Sequence, residues 1–102
     1  MNAELTAQNP ELWSNTNPAL YIVRTEVKSG EQVVDTYDTE YGFRYFNFDA
    51  NTGFSLNGQN MKLKGVCMHH DQGALGSAAN RRAIERQVEI LQEMGCNSIR
   101  VT

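Results

Sequence analysis

Long apolar runs are missing from this sequence. The longest, such as residues 19–23, fall far short of the roughly 20 residues that a membrane-spanning helix needs. Cysteine is scarce: Cys67 and Cys96 stand far apart and without CxxC spacing. They read as two buried free thiols, and a disulfide would require the fold to bring them together. Excess positive charge is also absent. Nine Lys and Arg stand against twelve Asp and Glu, a formal net charge of −3, which leaves no basic stripe for a nucleic-acid backbone. Neither nucleic acid nor a membrane is therefore an expected partner. Met1-Asn2-Ala3-Glu4 has no basic n-region followed by an apolar h-region, so no secretory leader is read there and no compartment is assigned. Internal repeats and low-complexity segments are absent too.

What is present is enough for a folded chain of about one small domain. Of 102 residues, 40 % are hydrophobic and 21 % charged. The hydrophobic period changes along the chain. Residues 1–18 are polar and turn-rich and hold both prolines, Pro10 and Pro18. They read as an extended lead-in whose Trp13 packs onto something. Residues 20–27, 32–37 and 43–48 read as strands, β-branched or aromatic-rich, with turns between them. Asn57-Gly58, between residues 54–56 and 59–61, predicts a hairpin, because a type I′ turn needs φ > 0 at both central residues.

From Lys62 the pattern alters. Residues 63–68 read as a short strand, followed by a loop holding Gly73 and Gly76. Asn80 is placed to N-cap a helix over 81–94, with Ile84, Val88, Leu91 and Met94 near one face and Ala83 and Ile90 beside them. Gly95 sits where a C′ glycine ends a helix. Residues 97–101 read as another strand, giving the order of a parallel βαβ unit. An all-β half followed by an alternating half suggests two domains with a boundary between Asn57 and Lys64. Neither half has enough elements to close a core. Exposed apolar faces and unpaired strand edges would follow, and with them self-association or strand exchange between copies.

Four stretches together carry a resemblance. The first is Leu12-Trp13-Ser14 with Asn17-Pro18-Ala19-Leu20-Tyr21. The second runs from Asp35 through Tyr41-Gly42-Phe43-Arg44. The third is Phe54-x-Leu56-Asn57-Gly58 with Leu63-Lys64-Gly65-Val66-Cys67-Met68-His69-His70-Asp71. The fourth is Asn97-Ser98-Ile99-Arg100. In this order and spacing they resemble the family 2 glycoside hydrolases, in particular their β-galactosidase branch, over nearly the whole chain. The resemblance implies an α+β fragment. Residues 1–57 would be the C-terminal part of an immunoglobulin-like sandwich, and residues 58–102 the first β-α-β portion of a (β/α)8 TIM barrel. It implies a parent enzyme, an oligomer, that hydrolyses terminal β-galactosides with retention. The residues that select the sugar fall largely outside this piece.

Retaining glycosidases need two carboxyl groups astride the scissile bond. In the family both are glutamates on later barrel strands, so no catalytic residue is expected in this chain and the chain alone is expected to be inactive. Glu85, Glu89 and Glu93 read as the solvated face of the helix. His69 matches the family histidine that contacts substrate hydroxyls, where a residue of this type would otherwise read as a loop histidine bonded to backbone. His70 and Asp71 match less well, and Asp71 reads equally as a cap of its own loop. Arg100 matches the family arginine that orients the nucleophilic carboxylate through charge-assisted hydrogen bonds. Family members use Mg or Na ions, but the residues matched here include no set of metal carboxylates, so no cofactor and no metal site is expected.

Two other readings stay open. Cys67, His69, His70, Asp71 and Cys96 are chemically suited to a metal, although their spacing fits no zinc pattern. The β half could be a small carbohydrate-binding or protein-interaction module, with Trp13 and the aromatics Phe43, Tyr45, Phe46, Phe48 and Phe54 as a stacking platform. Core and cross-strand pairing is the ordinary reading of such aromatics, and Arg44 is expected to anchor strands.

Overall fold

A computed structural model describes residues 2–102. The chain divides into two compact units, one running to Asn60 and the other over Met61–Thr102.

The first unit is antiparallel β. Strands β1 (Tyr21–Ser29) and β2 (Gln32–Tyr41) form a two-stranded hairpin in which Tyr21 pairs with Tyr41 and Arg24 with Asp38. Side chains alternate between faces along a strand. One face therefore carries Tyr21, Val23, Val27, Tyr37 and Tyr41. The opposite face carries the bidentate Arg24–Asp38 pair, at 2.8 and 2.9 Å. The register shifts between Val27 and Lys28, at a bulge next to the turn. Strands β3 (Phe46–Asp49), β4 (Gly53–Leu56) and β5 (Gln59–Asn60) form a three-stranded meander.

Two turns in this meander are set by short polar side chains. Asn57 and Gly58 take φ of 51° and 80°, as the Asn-Gly dipeptide predicts. At the β3–β4 turn the Asp49 carboxylate accepts the Thr52 and Asn51 N–H groups at 2.9 and 2.8 Å. Those backbone bonds favour the ionised form and hold the Asp49 carboxyl below its ordinary value. A depressed folded value means that the stabilisation is complete above the unfolded pKa, near 3.8, and is lost as pH falls through the lower, folded value. Protection of the Asn51 and Thr52 amides, relative to their intrinsic exchange rates, is therefore expected to fall below about pH 4. In Asp49→Ala, which lacks the acceptor, it should already be low at neutral pH and show no such step.

The third strand differs from its sequence expectation. It starts at Phe46, not Phe43. Phe43 instead forms an isolated parallel bridge with Leu12, and its carbonyl accepts the Trp13 N–H at 2.8 Å. This is how the lead-in is held, with the Arg44 guanidinium 4.9 Å above the Trp13 ring. The expected aromatic pairs are present: Phe48 lies opposite Phe54 with centroids 5.0 Å apart, and Tyr41 meets Phe43 edge to face. The expected aromatic core is not. Phe43 and Phe54 are half-buried, but Tyr45, Phe46 and Phe48 are exposed, Phe48 by 67 %. Among the described residues of this unit no second layer covers them.

The second unit is a strand–helix–strand. β6 (Gly65–Met68) and β7 (Ser98–Val101) are parallel neighbours, and α1 (Arg81–Glu93) lies between them in sequence. Asn80 caps α1, its side chain accepting the Ala83 N–H at 3.2 Å, and Gly95 follows the helix at φ 92°. The half-buried face of α1 holds Ala83, Ile84, Gln87 and Leu91, whereas Val88, Ile90 and Met94 are exposed. Gln87 thus occupies a helical position at which only apolar residues were expected. Glu85, which is also half-buried, and the exposed Glu89 pair with Arg81 and Arg82. Among the described residues no helix is long and apolar enough to cross a membrane.

Candidate functional site

The groups singled out by sequence gather at the C-terminal ends of β6 and β7. Pairing is Gly65 with Ser98, Val66 with Ile99, Cys67 with Arg100 and Met68 with Val101. Alternation puts Cys67 and Arg100 on one face. Met68 and Val101, on the other, line a cavity with Ile84 and Gln87 of α1. Arg100 thus stands on the face turned away from the helix, and it is exposed.

His69 is the first residue past β6, and Thr102 the first past β7. The His69 Nδ1 and the Thr102 Oγ1 lie 2.8 Å apart in a hydrogen bond whose direction depends on the tautomer, and Thr102 N–H donates to the Met68 carbonyl. The histidine ring is therefore held by the side chain of the residue that follows the neighbouring strand. Its Nε2 is the nitrogen left for another partner. Asp71 does what its loop position suggested: its carboxylate accepts the Gly73 N–H at 3.1 Å. His70 and Asp71 are both exposed.

The cavity behind the strand ends measures about 130 Å³. Small-molecule sites usually occupy roughly 300–1,000 Å³, so it does not hold a sugar ring by itself. Gln72 and Gln87 line it, and their side-chain carbonyl oxygens are buried without a hydrogen-bond partner among the described residues. Neither glutamine was singled out from sequence. A polar residue on an amphipathic helix reads as outward-facing, and only packing reveals the exception.

Several groups do not come together. Cys67 and Cys96 are free, and Cys67 is exposed, contrary to the expectation of two buried thiols, because its side chain shares the uncovered face with Arg100. Among the described residues no three His, Cys, Asp or Glu side chains stand close enough to hold a metal ion. No carboxylate pair stands at the strand ends either. The carboxyl groups with displaced pKa, Asp38, Asp49 and Glu89, all lie below their ordinary range, held there by the Arg24 hydrogen bond, the Thr52 and Asn51 N–H groups, and the Arg82 hydrogen bond respectively. A general acid in glycoside hydrolysis needs the opposite displacement.

In the first unit an open groove of about 400 Å³ is lined by Trp13, Leu20, Glu40, Tyr41 and Arg44. The Arg44 guanidinium occupies one face of the Trp13 ring.

Comparison with known proteins decides the family. The glycosyl hydrolases family 2 model matches residues 1–44. A β-galactosidase of Bacteroides ovatus is 53 % identical over 95 % of this chain, and a β-glucuronidase of Bacteroides fragilis is 35 % identical over 95 %. The chain belongs to glycosyl hydrolase family 2. Solved structures agree. A family 2 member from Bacteroides cellulosilyticus superposes with a TM-score of 0.85 at 45 % identity over 91 % of the chain. A β-glycosidase from Bacteroides vulgatus gives 0.87 at 36 % identity over 93 %. The chain spans only 11 % of the ovatus protein and 14 % of the fragilis one, and 12 % of each of the two solved chains.

Proposed function

We propose that the chain serves a retaining glycosidase that hydrolyses terminal β-galactosides. In that reading residues 1–57 end an immunoglobulin-like domain and residues 58–102 open a (β/α)8 barrel. The observation that carries it is the parallel β6–α1–β7 unit with Arg100 on the face away from the helix and His69 at the strand end. Barrels of this class assemble their chemistry from the C-terminal ends of strands. His69 would hydrogen-bond a sugar hydroxyl as charge develops on the ring. Arg100, in the longer polypeptide, would hold a nucleophilic carboxylate ionised and aimed. The galactoside assignment draws on the ovatus relative's name, and the fragilis relative's name favours β-glucuronides as the second reading.

The test is hydrolysis of aryl β-galactoside and aryl β-glucuronide side by side. The 102-residue chain should release no aglycone from either. A longer polypeptide that contains it should prefer the galactoside by about tenfold or more in kcat/KM, a difference of about 1.4 kcal/mol in transition-state binding. Preference for the glucuronide would replace the first reading with the second. Turnover by the 102-residue chain would remove both.

We propose further that the isolated chain associates with itself. It exposes 8970 Å² for 11.5 kDa. Two separate compact bodies of half that mass would expose about 7,000 Å² together. No hydrophobic side chain among the described residues is fully buried.

A further inference from the structure

We propose that Asn97 is a positioning residue that sets the register of β7 against β6 and so keeps Arg100 beside Cys67 and Thr102 beside His69. The proposal rests on the reading of Arg100 and His69 as site residues. Asn97 lies just before β7, and its side chain acts as an extra peptide unit for the segment leading into β6. Its Oδ1 accepts the Lys64 N–H at 2.8 Å, its Nδ2 donates to the Lys62 carbonyl at 2.9 Å, and its own N–H donates to the Lys64 carbonyl at 2.8 Å. The neighbouring Ser98 N–H also reaches the Lys64 carbonyl, at 3.3 Å.

This matters because β6 and β7 are short, four residues each, and parallel. Such a pair has few ladder bonds of its own to choose a register. A slip by one residue would carry every side chain of β7 to the opposite face. Arg100 would then turn toward α1, and the Thr102 hydroxyl would leave the His69 ring. Asn97 opposes the slip because its amide matches the donor of one residue, Lys64, and the acceptor of another, Lys62, at once. Aspartate retains only the acceptor, and alanine retains neither.

The test compares the full chain with Asn97→Ala and Asn97→Asp by NMR. In the unsubstituted chain, cross-strand NOEs join Cys67 to Arg100, and the His69 ring nitrogens report the Thr102 contact, calibrated by Thr102→Val. Asn97→Ala is expected to lose the Cys67–Arg100 NOEs, to shift the His69 ring to the Thr102→Val position, and to raise Lys64 amide exchange about tenfold or more, with the α1 amides still protected. Asn97→Asp should recover the Lys64 protection and part of the NOE pattern. Unchanged pairing and an unchanged His69 ring in Asn97→Ala would overturn the proposal. Collapse of α1 together with the strands in both variants would overturn it too, since Asn97 would then support the whole unit without selecting a register. None of these outcomes reads sugar hydrolysis, so the functional assignment stands or falls separately.

Discussion

Gly65→Ala is expected to separate β6 from β7 and to cost the second unit about 3 kcal/mol, at the upper end of what overpacking usually costs. The glycine begins β6 directly opposite Ser98. A methyl group built there would overlap the Ser98 backbone carbonyl as well as its hydroxyl. A flexible side chain could swing aside, but a carbonyl engaged in a parallel ladder cannot move without taking its strand along. The smaller unfolded-state entropy of alanine offsets less than about 1 kcal/mol of this. Urea unfolding followed by helical ellipticity measures the loss. Adding Ser98→Ala should restore little, because the carbonyl remains. Full recovery in the double variant would assign the clash to the hydroxyl and contradict the account of the close approach.

The second large effect belongs to Asn57. Its Nδ2 donates to the Trp13 carbonyl at 2.9 Å, its Oδ1 accepts the Tyr45 N–H at 3.2 Å, and its backbone sits at φ 51°. Asn57→Ala removes both side-chain bonds, worth about 1 kcal/mol each, and puts alanine, which tolerates the left-handed region less well than asparagine, at φ 51° for a further 1 kcal/mol or so. The total is about 3 kcal/mol. Asn57→Gly loses the same bonds but relieves the torsion, so it should cost about 1 kcal/mol less than alanine. Trp13 is the chain's single tryptophan, and its fluorescence during urea unfolding reads both variants. Equal losses for alanine and glycine would show that the torsion contributes nothing.

What was legible in the sequence is what local chemistry decides. The Asn57-Gly58 turn, the Asn80 cap, the Gly95 terminus and the loop role of Asp71 each depend on a few adjacent residues, and each is found where the residues put it. His69 and Arg100, singled out by motif likeness, lie at neighbouring strand ends. What the residues concealed is tertiary. Phe43 leaves its expected strand because the distant Leu12–Trp13 segment takes its carbonyl. Phe46 and Phe48 keep the pattern of a core face and yet lie exposed, since alternation states which way a side chain points and not whether anything covers it. Cys67 follows the same rule. Gln87 is the converse case, a polar residue turned inward.

The Arg24–Asp38 pair illustrates how little the surface groups decide. It is bidentate, yet both side chains are well exposed, 63 % and 41 %, so solvent screens it and its loss should hardly move the hairpin. The uncovered apolar surface decides more: Tyr37 at 70 %, Phe48 at 67 % and Val101 at 73 % exposure stand on three different sheets.

Mass in solution tests that account most directly, by light scattering after size exclusion over a concentration series. Two small units with no fully buried hydrophobic side chain among the described residues predict a dimer or larger assembly whose population rises with concentration. A monomer of 11.5 kDa, compact and unchanged over the whole series, would contradict it.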